Sequence, residues 1–160
     1  MTRTTFLFLF AFSLAACGGS GGSDSNEGNL QFTTLPAARD AVGAVPRGTY
    51  VIRSQQELGA LIASNSTGFL MGDAGRFPPV DYGRDSVVGV LSGLGNSCLG
   101  HEIVAVSRSG AVVTVQHRRV EPIPGSGRVC GPEVVPTSVW ASVARTDATV
   151  RFEELAVRNY

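Results

Sequence analysis

Along the chain, apolar runs alternate with glycine- and proline-rich breaks, and the spacing of apolar positions within each run predicts an element. An apolar run from Phe6 to Leu14 (FLFLFAFSL) is followed at 18–28 by GGSGGSDSNEG, which has no apolar side chain to bury. Residues 30 to 48 mix leucine and phenylalanine with proline and small-residue breaks, which predicts an extended lead-in rather than a helix. TYVIR at 49–53 reads as a strand. Ser54-Gln55-Gln56-Glu57 then has the spacing of a capping box, with Leu58, Leu61 and Ile62 behind it at helical spacing, so a short helix is expected to end near Ser64. From 65 to 85 glycine and proline dominate, with Phe69, Leu70, Met71, Phe77 and Tyr82 as apolar anchors. So long a loop suits a binding segment or a poorly ordered one.

The second half reads as strands. SVVGVLSG at 86–93 is an apolar run between glycines and predicts a central strand. HEIVAVSR (101–108) and AVVTVQHRR (111–119) flank Ser109-Gly110, a two-residue connection that suits a tight hairpin. A turn-rich stretch, EPIPGSGRVCGPEVVP, precedes SVWASVAR at 138–145, where Val139, Ala141 and Val143 share one face and Ser138, Trp140 and Ser142 the other. TVRFEELAV closes the pattern at 149–157, with Val150 and Phe152 opposed to Arg151 and Glu153. The expected fold is mainly β, an antiparallel sandwich or open barrel of five to six strands with one short helix. No internal repeat is visible.

Composition narrows the function classes. The 160 residues are 43% hydrophobic and 16% charged, which suits one globular domain, and twenty glycines and eight prolines agree with many turns. All thirteen basic residues are arginines, balanced by thirteen acids. A neutral chain gains little from counterion release, so no nucleic-acid partner is expected, and Arg118-Arg119 reads as the solvated end of a strand.

The opening segment has signal-peptide form. A short leader with Arg3 and no acid precedes the apolar run, which is well below the roughly 20 residues of a membrane-spanning helix. Leu14-Ala15-Ala16-Cys17 resembles the lipobox of bacterial lipoproteins. That resemblance implies a signal peptide at 1–16, cleavage before Cys17 and attachment of a diacylglycerol to its thiol. Residues 17–29 are then a flexible Gly/Ser tether and 30–160 one β-rich globular domain. As a Gly-rich coil, Gly18 to Asn29 has a root-mean-square span of roughly 17–21 Å. Each buried acyl CH₂ contributes about 0.8 kcal/mol, so two or more chains hold the protein at the membrane. Gly18 stands where the inner-membrane retention signal of enteric bacteria has aspartate. The resemblance therefore implies the outer membrane, facing the periplasm, in an organism that has one.

Removing Cys17 to the lipid leaves Cys98 and Cys130, an even pair in an oxidising compartment. Both sit beside glycine or small polar residues, in GLGNSCLGHE and GSGRVCGPEV, and a bridge between them is expected. Closing that loop contributes about 3.7 kcal/mol by the loop-entropy relation. The alternative is a reactive thiol, for which the chain offers His101, three residues from Cys98, but no CxxC.

Few residues suggest catalysis. Gly93-Leu94-Gly95 begins a dinucleotide fingerprint, but Cys98 takes the third glycine position and no helix follows; Gly95-Asn96-Ser97-Cys98-Leu99 does not supply a GxSxG elbow either. His101 and His117 lack a third histidine for a metal set and read as strand residues at a sheet surface. Glu153 and Glu154 point to opposite faces of a strand, and Asp81 and Asp85 flank a turn. No catalytic, cofactor or metal residues are therefore assigned. Trp140, beside serines, is expected either to be covered by the helix or the long loop or to stand exposed as an anchor for a protein partner.

Val51-Ile52 before the helix, Pro79-Val80-Asp81-Tyr82, the strand Val87-Val88-Gly89-Val90-Leu91, GNSCLGHEIVAV and the late strand resemble the C-terminal domain of the protease-complex-associated PrcB-like proteins, over about residues 49–155. Tyr82 replaces that family's phenylalanine, and Gly100-His101 stands where Gly-Tyr is expected. The resemblance implies an envelope lipoprotein that associates with or stabilises an exported protease without enzymatic activity of its own. The expected function is thus a lipid-anchored, non-catalytic protein-binding module. The alternatives are an envelope hydrolase built from His101, Asp81 and the long loop, and a structural surface lipoprotein. Oligomeric state is left open.

Overall fold

A computed structural model describes residues 28–42, 45–64 and 73–160. Cys17, most of the expected tether and positions 65–72 of the expected long loop lie outside the described residues.

Among the described residues nine strands form two sheets. The first contains β1 (Gly28–Leu30), β5 (Gly100–Ser109), β6 (Val112–Glu121) and β8 (Thr149–Glu154) in that order, with β9 (Arg158–Asn159) also on β6. The second has the order β2 (Phe32–Thr34), β7 (Val135–Ala144), β4 (Asp85–Gly95) and β3 (Gly48–Ile52). The fold is therefore a sandwich, mainly antiparallel, and not a barrel. The pairings β6–β8 and β6–β9 are parallel, because the chain leaves the first sheet after β6 and returns to it only after laying β7 in the second.

Among the described residues two α-helices, α1 (Ala38–Val42) and α2 (Gln55–Ala63), cover the outer face of the second sheet, with a 3-10 turn at Ala74–Arg76 beside them. Ser54 Oγ accepts the Glu57 amide at 3.1 Å, as capping-box spacing requires, but the Glu57 carboxylate accepts from the Arg53 amide, one residue before the cap. The lead-in expected to be extended is so at β2 but turns helical at α1, and β1 begins at Gly28, inside the expected tether. Ala38, Ala41 and Val42 explain α1: their small buried side chains let five helical residues lie close against the sheet.

The second sheet is thus covered on both faces, which is why its central strand β4 reads as one apolar run. Val87 and Leu91 pack under the helices with Leu58, Ile62, Phe77 and Trp140. Val88 and Val90 face the first sheet with Val106, Val113, Val115, Val139 and Val143. The β5–β6 hairpin has Gly110 first in its two-residue loop, at φ +56°, where an L side chain is disfavoured.

The sandwich has two distinct ends. At one, called the hairpin end, lie Gly28, which pairs with Arg108, the β5–β6 turn and the start of β8. At the other, the bridged end, Cys98 and Cys130 form a disulfide with Cα atoms 5.4 Å apart, tying the β4–β5 turn to the long β6–β7 connection. Tyr160 anchors the last residues there, its hydroxyl donating to the Cys98 carbonyl at 2.8 Å.

Candidate functional site

Strand alternation carries each inward face from apolar to polar on approaching the bridged end. On β4 the inward side chains run Val88, Val90, Ser92; on β6, Val113, Val115, His117, Arg119; on β7, Val143, Ala141, Val139, Thr137; on β8, Val150, Phe152, Glu154. On β5 His101 follows Ile103. Five strands therefore place polar groups in one layer between the sheets, where each must find a partner or cost free energy.

Some do. Ser92 Oγ and His101 Nδ1 lie 2.8 Å apart, joining the two sheets, and the His101 and His117 rings stand 5.5 Å apart and tilted. Two do not: His117 Nδ1 and Thr137 Oγ1 are buried without a hydrogen-bond partner, on residues only 5% and 6% exposed. Burial, then the neighbouring His117, lowers the pKa of His101 to about 4, against the opposing pull of the Glu154 carboxylate; Arg119 adds to the lowering. Burial also lowers His117, again against Glu154. Both rings are neutral at pH 7.

Because these values lie below the ordinary 6.5, the unfolded chain takes up protons that the folded chain refuses as pH falls from about 6.5 to about 4. The stability held by the neutral rings is complete above that window and lost on descending through it. For the half-buried His101 the loss is about 1–2 kcal/mol after allowing for solvent screening. Thermal unfolding followed across this range should show His101→Gln losing less of its midpoint than the parent.

The layer opens at the bridged end as a cleft of about 360 Å³. Its wall on the first sheet carries Arg119, whose guanidinium lies 3.3 Å from Glu121 and 3.4 Å from Glu154. Arg47, just before β3, lines the opposite wall. A β-bulge between Leu91 and Gly93 makes room for it: Gly93 has φ +101°, and a Cβ there would come within 2.6 Å of Arg47 Nε. Leu94 and Leu99 form apolar lips. Around them Ile123, Val129, Val134 and Tyr160 are exposed, Val129 at 93%.

The expected site residues meet the structure unevenly. Cys98 and Cys130 are bridged, and Cys17 lies outside the described residues. Of the two expectations for Trp140 the covered one holds and the exposed anchor is corrected: it is 1% exposed, its indole lying beneath the helical layer, stacked on Tyr50 and edge-on to Phe77. Its strand face looked polar because the serines beside it are small, and Ser138 Oγ accepts the indole N–H at 3.0 Å. The surface placement of the histidines is corrected too, since both face the other sheet. Asp81 does not join His101: its carbonyl accepts the Asp85 amide at the start of β4, whereas Ser92 lies seven residues further along, roughly 23 Å away at about 3.3 Å per residue. Among the described residues no group of three or more His, Cys, Asp or Glu side chains could hold a metal ion.

Ser92, Thr137, Glu154, Arg119 and Arg47 went unrecognised as one group. The available signal was the inward face of each strand turning polar at one end, but its meaning depends on which ends are neighbours. Compared with protein-family models, curated proteins and solved structures, the chain matches none of them.

Proposed function

We propose that the chain is a lipid-anchored envelope protein that binds a protein partner through its bridged end, without catalysis of its own, and that an exported protease is the partner class. The observation that carries this reading is the opposition of the two ends. The tether enters at Gly28, beside Arg108. The ten residues of β5 then carry the fold roughly 30 Å to the bridged end at about 3.3 Å per residue. A lipid at Cys17 would thus leave the exposed apolar side chains Leu99, Ile123, Val129 and Val134, on the two segments joined by the disulfide, facing away from the membrane. A docking surface held by a covalent bridge has less entropy to lose on binding.

The full chain carrying a photo-crosslinking residue at Val129 should give a discrete adduct in its native envelope. Ile123→Glu should abolish that adduct, and a crosslinker at Val112, on the hairpin end, should give none. Equal labelling from both positions, or none from Val129, defeats the reading.

The Ser92–His101 contact supports a second reading, a hydrolase in which His101 takes a proton from Ser92 Oγ. A ring titrating near 4 is a weak base for that step at neutral pH. Ester or peptide hydrolysis that disappears with Ser92→Ala and survives Val129→Glu would put this reading first.

A further inference from the structure

The walls of the bridged-end cleft carry opposite charge. On the first sheet two carboxylates, Glu121 and Glu154, share the single guanidinium of Arg119, which leaves that wall net negative. Across from them Arg47 has no ion pair or hydrogen bond to its guanidinium among the described residues, and it is held over the Gly93 bulge. An unpaired planar fork facing a cleft is suited to a carboxylate, which it can grip through two N–H bonds. The surplus carboxylate opposite is suited to an ammonium group.

Below the charged groups the lining is polar as well. Thr137, which lines the same cleft, keeps its Oγ1 without a partner although the residue is 94% buried, and Ser92 brings a second hydroxyl to the lining. Packed sheets lie about 10 Å apart, and side chains reach in from both. A ligand of one or two extended residues, at about 3.5 Å each, is of the size that such a gap between sheets admits. The lips Leu94 and Leu99 offer apolar contact to a side chain directed outward.

We propose that this cleft binds a short zwitterionic ligand of amino-acid to dipeptide size, its carboxylate on Arg47 and its ammonium group against Glu154 and Glu121. The site needs no membrane anchor and shares Leu99 with the proposed partner surface, but binding of a free ligand is read without any partner present, so the two stand or fall separately. The same chemistry has two sources, a free dipeptide or the end of a longer chain, and only the first supplies both charges at this spacing.

Calorimetric titration of the full chain with a panel of free dipeptides bearing apolar side chains, together with their C-amidated and N-acetylated forms, tests it. The free dipeptides should bind. Amidation or acetylation should each weaken binding roughly ten- to a hundredfold, as loss of one charge-assisted contact does. Arg47→Ala should weaken the free dipeptides by a similar factor, leave the amidated ones unchanged, and leave the thermal midpoint of this exposed position where it was. Arg47→Lys should restore part of the affinity. Equal binding of the three forms, tighter binding of N-acetylated ligands, insensitivity to Arg47→Ala, or no binding across the panel in the millimolar range each overturns the proposal.

Discussion

Trp140→Ala is expected to lower stability by about 3–5 kcal/mol, a large share of the roughly 5–15 kcal/mol that holds an ordinary domain together. Among the described residues the indole is the largest fully buried side chain, and it fills the space between the second sheet and its helices, touching Tyr50 and Phe77. It lies flat over Gly89, its partner across the β4–β7 ladder. A Cβ at position 89 would stand 2.2 Å from Cε3 and Cζ3 of the ring, a distance that no packing accommodates without moving the indole. Gly89→Ala should therefore cost about 1–3 kcal/mol by overpacking, and Gly89→Val more. Urea unfolding of the two single variants and the double variant measures the coupling. Gly89→Ala should cost far less once Trp140 is alanine, because the clash has gone. A neutral Gly89→Ala in the parent chain would contradict the packing described.

Removing the bridge, by Cys98→Ala together with Cys130→Ala, is expected to cost about 3.7 kcal/mol through the loop entropy returned to the unfolded chain. The structural effect should be local. Besides the disulfide, the β6–β7 connection is tied down near Cys130 by the Gly131 amide donating to Ser97 Oγ at 2.8 Å, and by Arg128 over the Tyr160 ring. Hydrogen exchange should rise in residues 96–99 and 122–134 and stay low through β4 and β7, whose ladder does not depend on the bridge. The Val129 crosslink should be lost together with the order of its segment. Uniform exchange across the sandwich would mean instead that the bridge supports the whole fold.

Much of the fold was legible because it depends on local period. The apolar run at 86–91, the two-residue turn near Gly110, the capping box at Ser54 and the alternation Val139-Ala141-Val143 each identify an element from its own residues. The failures share a cause. β1 and β2 have three residues each and α1 has five, too few to show a period, and they exist because a partner strand or an indole covers them. Trp140, beside serines, left a covered and an exposed alternative open, and only the helices above it decide for the covered one.

The disulfide could be anticipated from cysteine parity and the two-sided burial of β4 from its unbroken apolar run, since both are properties of the chain read in order. The polar layer could not. Ser92, His101, His117, Thr137 and Glu154 come from five strands scattered over more than sixty residues, and each alone is an ordinary polar residue near a strand end. Strand register and the stacking of the two sheets bring those ends to one level, and burial there neutralises the histidines and leaves Thr137 Oγ1 without a partner. Inward direction is set by neighbours in sequence, whereas shared depth is set by hydrogen-bonded pairing between distant segments, and only the folded chain specifies that pairing.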